Sequence, residues 1–194
     1  MRPLEKFPNA AFGNFNVPTA TLGTSSEGAR LVWISDTVDM APLHLCFVCS
    51  GNICRSPMAA LVLERHLRDA GLADDVRISS AGVGPWHVGE PADARAVTTL
   101  RRHGYRIEHV AAQVGEEHLA ADLLLVADTG HLSALHELVD DPGRVRLLRS
   151  FDPTAPEDAE VPDPYYGGSD GFDIVLGMIE RSMPGLLDWI RANR

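Results

Sequence analysis

One run of eight residues carries the most distinctive chemistry of the chain: Cys49-Ser-Gly-Asn-Ile-Cys-Arg-Ser56. It sets a soft nucleophile at one end of a short loop and a planar guanidinium, which matches two phosphoryl oxygens, at the other. By spacing alone Cys-x5-Arg is a weak pattern, but its context strengthens it. The apolar Leu43 to Val48 leads into Cys49, Gly51 allows a sharp turn, and Ser56-Pro57 has the residue types that open a helix. A loop running from a strand into a helix N-terminus turns successive amide N–H groups inward and forms an anion nest. Ser50, Gly51, Asn52, Ile53, Cys54 and Ser56 are therefore expected to bind the anionic part of a substrate. Amide donors and Arg55 around the sulfur favour the ionised form of Cys49, and Ser56 can stabilise that sulfur when it later becomes a leaving group. A thiolate beneath a cradle for three equatorial oxygens suits phosphoryl transfer through a cysteinyl phosphate. The loop is not a nucleotide-binding Walker A loop, since it contains no lysine and lacks the Gly-Lys-Ser/Thr ending.

An ester's departing oxygen needs a proton. The best donor in the sequence is Asp163, in Val161-Pro-Asp-Pro-Tyr-Tyr-Gly-Gly168, where two prolines stiffen the backbone and two glycines end the loop. Held over the nucleophile, it could give a proton and then take one from water. A turn or capping aspartate is the other reading of this residue.

The elements that must position these groups follow from periodicity. Strands are expected at Leu43 to Val48, Val76 to Ala81, Leu123 to Ala127 and Val145 to Leu148. Helices are expected from Ser56 to Gly71, from Pro91 to His103 with Ala94, Val97 and Leu100 inward, from His131 to Val139, and from Phe172 to Arg191. In the last, Val175, Met178, Ile179, Ser182, Leu186 and Ile190 form one stripe, and Pro184 should kink it. Strand and helix in alternation mean an α/β doubly wound sheet, whose ligands bind outside the carboxyl ends of the strands. The loop after the first strand lies at that edge.

Composition narrows the function. The chain has 194 residues, 45% of them hydrophobic, so it is foldable and of single-domain size. A formal charge of −10 argues against a nucleic-acid partner. No apolar run is long enough to span a membrane. Cys46, Cys49 and Cys54 are the only cysteines, too few and too close together to staple a secreted fold. Cys46 reads as core, because residues three apart on a strand face opposite sides. Cys54 reads either as a small buried hydrophobe or as a trap for oxidised Cys49. The histidines are scattered without ligand spacing, so no metal is expected, and surface or capping roles are the bland reading. His87 stands near the expected cleft. Glu116-Glu117 reads as solvated loop. Residues 1–40 are rich in Pro, Gly, Ser, Thr and Asn and show no sustained period, so they are expected to be a poorly ordered extension, with residues 41–194 as the folded domain. Met40, directly before the first strand, is a candidate translation start. No secretory signal is present, so a cytoplasmic location is expected, and any export would use another route.

Taken together, these segments resemble the low-molecular-weight protein tyrosine phosphatases, most closely the bacterial branch that includes the mycobacterial tyrosine phosphatases. Val48-Cys-Ser-Gly-Asn-Ile-Cys-Arg-Ser-Pro57 matches that family's V-C-x-G-N-x-C-R-S-P, and Asp163-Pro-Tyr its D-P-Y/W. Ser80-Ala-Gly82, Trp86-His-Val-Gly89, Asp93-Ala-Arg-Ala96, His109 with Gln113, Asp128 and Ser150-Phe-Asp-Pro153 fall between them in the family's order, and Ala112 replaces a common arginine. The resemblance implies a four-stranded parallel sheet with helices on both faces and a phosphate-binding loop after the first strand. It implies Cys49 as nucleophile, Arg55 as phosphate clamp, Asp163 as general acid and then base, and Asn52 as the brace of a strained loop, with His109 behind it. It implies no cofactor. The substrates would be phosphotyrosine proteins, with Trp86, Tyr165 and Tyr166 as aromatic walls deep enough for a phosphorylated ring. A tyrosine kinase is a further partner if those tyrosines are themselves phosphorylated, and the state expected is a monomer or weak dimer. An arsenate reductase on the same loop would need cysteines beyond Cys54, and none follows. A small-molecule acid phosphatase and a silent phosphotyrosine-binding module are the remaining rivals; the intact Cys49, Arg55 and Asp163 argue against the module.

Overall fold

Apolar runs without polar alternation make strands that are covered on both faces. The computed structural model, which describes residues 41–168 and 170–194, has four of them: Leu43–Cys49 (β1), Val76–Gly82 (β2), Leu123–Val126 (β3) and Val145–Leu147 (β4). The extension expected in residues 1–40, Met40 included, lies outside the described residues. All strands are parallel, in the order β2-β1-β3-β4. The order reverses between β1 and β3, and the crevice at such a reversal is where α/β sheets bind ligands. Cys49, the last residue of β1, pairs with Gly82 at the end of β2.

Among the described residues, five α-helices flank the sheet: Arg55–Ala70 (α1), Ala94–Arg102 (α2), Glu116–Leu119 (α3), Thr129–His136 (α4) and Asp170–Asn193 (α5). One core joins Leu45, Phe47 and Cys49 of β1 to Val62 and Leu67 of α1, Leu100 of α2 and Ile179 and Leu186 of α5. The opposite core joins Cys46 and Val48 to Leu124 and Val126 of β3 and Leu135 of α4, with Leu119 of α3 packed against it. The doubly wound expectation holds, and Cys46 is a core residue facing away from Cys49.

Several boundaries differ from the sequence reading. Ser56 does not cap α1. Cys54 holds the capping position without a side-chain bond, and the helix begins at Arg55, which puts Pro57 third. A proline there is harmless, because first-turn N–H groups have no helical partner. The second helix starts at Ala94 rather than Pro91, since Asp93 caps it by accepting the Arg95 N–H. That start buries Ala96 and Thr99 with Leu100, while Ala94 is exposed and Val97 half-buried. The fourth helix begins two residues earlier than expected, because Asp128 caps it by accepting the His131 N–H. Glu116 and Glu117 are exposed as expected, but they open a short helix rather than lie in a loop. The last helix continues from Asp170 to Asn193 through Pro184, which is exposed. Among the described residues no helix is long and apolar enough to cross a membrane.

Two glycines of α5 make opposite demands. A Cβ at Gly185 would come within 2.3 Å of the Phe151 carbonyl oxygen, which is backbone and cannot yield cheaply. A Cβ at Gly177 would meet only the tip of Arg181 at 3.5 Å. Gly185→Ala should therefore destabilise the protein by about 2 kcal/mol or more, and Gly177→Ala should stabilise it by about 0.5–1 kcal/mol by favouring the helix. Urea unfolding of both variants checks the pair, and equal effects would refute the packing argument.

Candidate active site

Five residues separate the end of β1 at Cys49 from the start of α1 at Arg55. The end of β2 holds their backbone in place. Val83 N–H donates to the Cys49 carbonyl at 2.9 Å, and Gly84 N–H to the Ser50 carbonyl at 3.0 Å. Gly82 makes that approach feasible, since a Cβ there would sit 2.8 Å from the Ser50 carbonyl oxygen. From the other side, the Asp93 N–H donates to the Ile53 carbonyl at 2.8 Å.

The loop's left-handed residue is Asn52, at φ 56°, not Gly51. Gly51 has another use: a Cβ there would press on the His87 ring at 2.7 Å. Asn52 is fully buried, and its amide is fully engaged. Its Nδ2 donates to Ser56 Oγ at 2.8 Å and to Ser80 Oγ at 2.9 Å, and its Oδ1 accepts the Ala112 N–H at 2.9 Å. Its carbonyl accepts from His109 Nε2 at 2.6 Å. Burial pushes the His109 ring below its ordinary value, opposed in part by that bond, so the ring is kept as a neutral donor. The arginine missing at position 112 costs the loop nothing, because Ala112 works here through its main chain.

Ser56 Oγ lies 3.0 Å from Cys49 Sγ and 3.3 Å from the Ala81 carbonyl. Asn52 already fills one of its lone pairs, so the hydroxyl proton is free to go to the sulfur. The other two thiols sit in different surroundings. Burial pushes Cys46 up to about 11 and Cys54 up to about 12, the latter with help from Asp93 and Cys49. All three are free thiols.

Arg55 is buried and held on several sides. Nη1 donates to Asp128 Oδ2 at 2.8 Å and to the Val161 carbonyl at 3.3 Å; Nη2 donates to Ser50 Oγ at 3.0 Å and to Asp163 Oδ2 at 2.9 Å. Burial opposes a charge on Asp128, but bonds from His131 and Arg55 outweigh it and hold the carboxyl well below the usual carboxylate range. Asp163 is part-exposed, and its other oxygen accepts the Tyr165 N–H at 3.0 Å.

A cavity of about 430 Å³ opens above the loop, lined by Cys49, Ser50, Gly51, Ile53, Cys54, Arg55, Trp86, His87, Asp163, Tyr165 and Tyr166. The Trp86 ring lies over Gly84, where a Cβ would strike it at 2.0 Å. Arg95 ties α2 to this wall, with its guanidinium 5.3 Å from the Tyr165 ring centre and a bond to the Tyr165 carbonyl at 3.0 Å. Asp93 in turn grips Arg95 through two guanidinium contacts, at 3.0 and 2.8 Å. A second cavity of about 440 Å³, between α1 and β2, is lined by no cysteine or arginine. Among the described residues no cluster of three or more His, Cys, Asp or Glu is arranged to hold a metal ion.

Every residue expected to bind the anion or to react borders this cavity except Asn52 and Ser56, which brace the loop from behind. The sequence reading missed two contributors. Asp128 follows the third strand at the sheet's reversal point, a position that does mark it as part of the site. His131, taken for a surface or capping residue, is buried, with Nε2 3.0 Å from Ser50 Oγ. His44 and His118 are likewise buried, not at the surface.

Residues 44–194 match the family model described as low molecular weight phosphotyrosine protein phosphatase. Low molecular weight protein-tyrosine phosphatase A of Mycobacterium tuberculosis is 55% identical over 150 residues, which span 77% of this chain and 92% of that protein. A protein tyrosine phosphatase from Entamoeba histolytica superposes with a TM-score of 0.74 at 28% identity, covering 78% of this chain and 98% of its own. An arginine phosphatase from Geobacillus stearothermophilus superposes with a TM-score of 0.68 at 27% identity, covering 78% and 95%.

The thiol surroundings make a direct prediction. Iodoacetamide at neutral pH should modify Cys49 at least ~10 times faster than Cys46 or Cys54, whose thiols stay protonated far above neutrality. Ser56→Ala should slow the Cys49 reaction. Peptide mapping of the alkylated protein reads this out, and equal labelling of Cys49 and Cys54 would contradict it.

Proposed function

The chain belongs to the low molecular weight phosphotyrosine protein phosphatases, and from that premise we propose that it hydrolyses phosphotyrosine through a cysteinyl phosphate, with Cys49 as nucleophile, Arg55 as clamp and Asp163 as general acid and then base. As a protein-tyrosine phosphatase it is a hydrolase acting on phosphotyrosine proteins. The roles rest on one observation: a sulfur, a guanidinium and a carboxyl border a single aromatic-walled cavity.

In this reading the phosphoryl oxygens meet the loop amides and take over the Arg55 Nη2 donor that Asp163 now occupies. Asp128 keeps Nη1, so the guanidinium does not have to swing. Cys49 Sγ attacks phosphorus as the bond to the tyrosyl oxygen breaks. Asp163, released from Arg55, hands a proton to that oxygen. Water then attacks the cysteinyl phosphate, Asp163 takes up its proton, and the S–P bond breaks with Ser56 donating to the departing thiolate. Tyr165, Tyr166 and Trp86 flank the ring, and Ile53 gives an apolar contact at the base.

The fold neighbour that acts on arginine raises a second substrate class. Phosphoarginine would bring guanidino N–H donors into the cavity, and these need acceptors. The carboxylate of the described lining is Asp163, already bonded to Arg55, and the walls are aromatic. That favours an aryl phosphate. The family match from residue 44 and the sheet from Leu43 support residues 41–194 as the catalytic domain. Tyr166, 91% exposed, offers its hydroxyl to a partner kinase.

Peptides carrying phosphotyrosine, phosphoserine, phosphothreonine or phosphoarginine separate the readings. Wild type should hydrolyse only the first. Cys49→Ser should be inactive, and Asp163→Ala should lose about 10²- to 10⁴-fold in kcat while still binding the phosphotyrosine peptide. Faster release from phosphoarginine, or full activity of Asp163→Ala, would overturn this reading.

A further inference from the structure

We infer that His131 is a positioning residue for the anion cradle: held against Asp128, its imidazole sets the direction in which the Ser50 hydroxyl donates, and so whether that hydroxyl can serve a bound oxyanion. The inference rests on the proposed function only in taking the loop to bind oxyanions.

The Ser50 hydroxyl has one proton and two lone pairs. Arg55 Nη2, 3.0 Å away, can only donate and fills one lone pair. His131 Nε2 is the other close neighbour, also at 3.0 Å. Its role depends on where the ring carries protons. Nδ1 lies 2.8 Å from Asp128 Oδ1, in close contact but not aligned as a hydrogen bond. An unprotonated Nδ1 would leave two electron-rich atoms in contact at that range, so Nδ1 keeps its proton in either charge state. With the ring neutral, Nε2 is an acceptor and Ser50 must point its proton at the histidine. With the ring protonated, Nε2 becomes a donor. Ser50 then accepts from both neighbours, and its own proton turns to the cavity that Ser50 lines beside Cys49 and Arg55. One proton on His131 thus adds one donor to the anion site.

The order of groups, carboxylate to imidazole to serine hydroxyl, is that of a serine hydrolase triad. Here, however, the serine is held by Arg55 rather than freed to attack. Of the charged groups, Asp128 at the cap of α4 contacts the ring directly, and Arg55 at the start of α1 reaches it through Ser50. Asp163 reaches the relay through Arg55. Glu160 holds the first turn of α4 through the Thr129 N–H at 2.8 Å. Protonation of His131 adds a donor to the cradle, so oxyanion binding and protonation of His131 reinforce each other.

Sulfate is the probe, since it stays a dianion across the range in which histidine titrates. The full chain carrying Cys49→Ser removes the nucleophile's own ionisation from the comparison. Side-chain nitrogen NMR should find the neutral His131 ring protonated on Nδ1, and should find its titration moved to higher pH by sulfate. From about pH 8 to pH 5.5, sulfate affinity should rise about tenfold more in this protein than after adding Ser50→Ala or His131→Gln, a charged hydrogen bond being the difference. Ser50→Ala keeps the histidine, so it decides the matter if His131→Gln fails to fold. A neutral ring protonated on Nε2, or an unchanged pH dependence in Ser50→Ala, would overturn the relay. Failure of the parent to bind sulfate, together with wild type inactive on phosphotyrosine, would instead sink the functional reading, and the relay with it as a cradle device.

Discussion

The site depends on one residue held in a conformation it does not prefer. Asn52 sits at φ 56°, the left-handed region that residues with a Cβ enter at a cost of about 1 kcal/mol or more. Its compensation comes from three separate parts of the chain. Ser56 lies on the first turn of α1, Ser80 on β2, and Ala112 and His109 in the segment that follows α2. Each bond fixes the loop to a different element, so the loop's shape is set by the sheet and not by its own preferences. The same brace aims Ser56. By filling a lone pair of that hydroxyl, Asn52 turns the hydroxyl proton toward Cys49 and the Ala81 carbonyl. Strain at one residue and the chemistry of another are thus a single arrangement.

Arg55 shows how an acidic protein builds a cationic spot. The chain carries a formal charge of −10, yet the cavity floor holds a buried guanidinium. A buried cation left without partners would be costly, and Asp128 and Asp163 supply them. The two carboxylates are not equivalent. Asp128 has three-quarters of its side chain covered and caps a helix, so it stays; Asp163 is on a proline-flanked loop with 39% of its side chain exposed. One partner is therefore fixed on the guanidinium by the helix it caps, while the other holds it from a loop that solvent reaches. Such a site is formed before its ligand arrives, which keeps reorganisation small.

How much of this was legible in the sequence follows from the range of the interactions. The alternation of apolar strands and helices gave the doubly wound sheet, because burial on both faces leaves a local pattern. The loop from Cys49 to Ser56 is legible because its cysteine, arginine and turn cues are contiguous in sequence. Helix starts were misplaced where a cap decides them: Asp93 and Asp128 each set the first turn through one bond, which period counting cannot see. The family resemblance points to Asn52 as the loop's brace, but the sequence reading places the turn at Gly51, whereas the left-handed residue is Asn52 itself. Glycine freedom is a local cue, but the bonds that force Asn52 over are 28 and 60 residues away in sequence. His131 was missed for the same reason. Nothing within a few residues of it marks it as buried, and its partner Ser50 is 81 positions distant.

The three cysteines show why position outranks residue type here. They lie within nine residues of one another, and all are buried. Cys46 faces the sheet side covered by α4, where burial outweighs the help that Ser79 and Arg77 give the ionised form and keeps its proton on. Cys54 borders the same cavity as Cys49 but lies near Asp93 and near Cys49 itself, and negative neighbours add to burial in holding its proton. Only Cys49 ends a strand at the mouth of a loop with a hydroxyl donor 3.0 Å from its sulfur. The surroundings of Cys49 are therefore a property of the carboxyl end of β1 and not of its residue type. A cysteine moved one turn along α1 or three residues back along β1 would be an ordinary small hydrophobe.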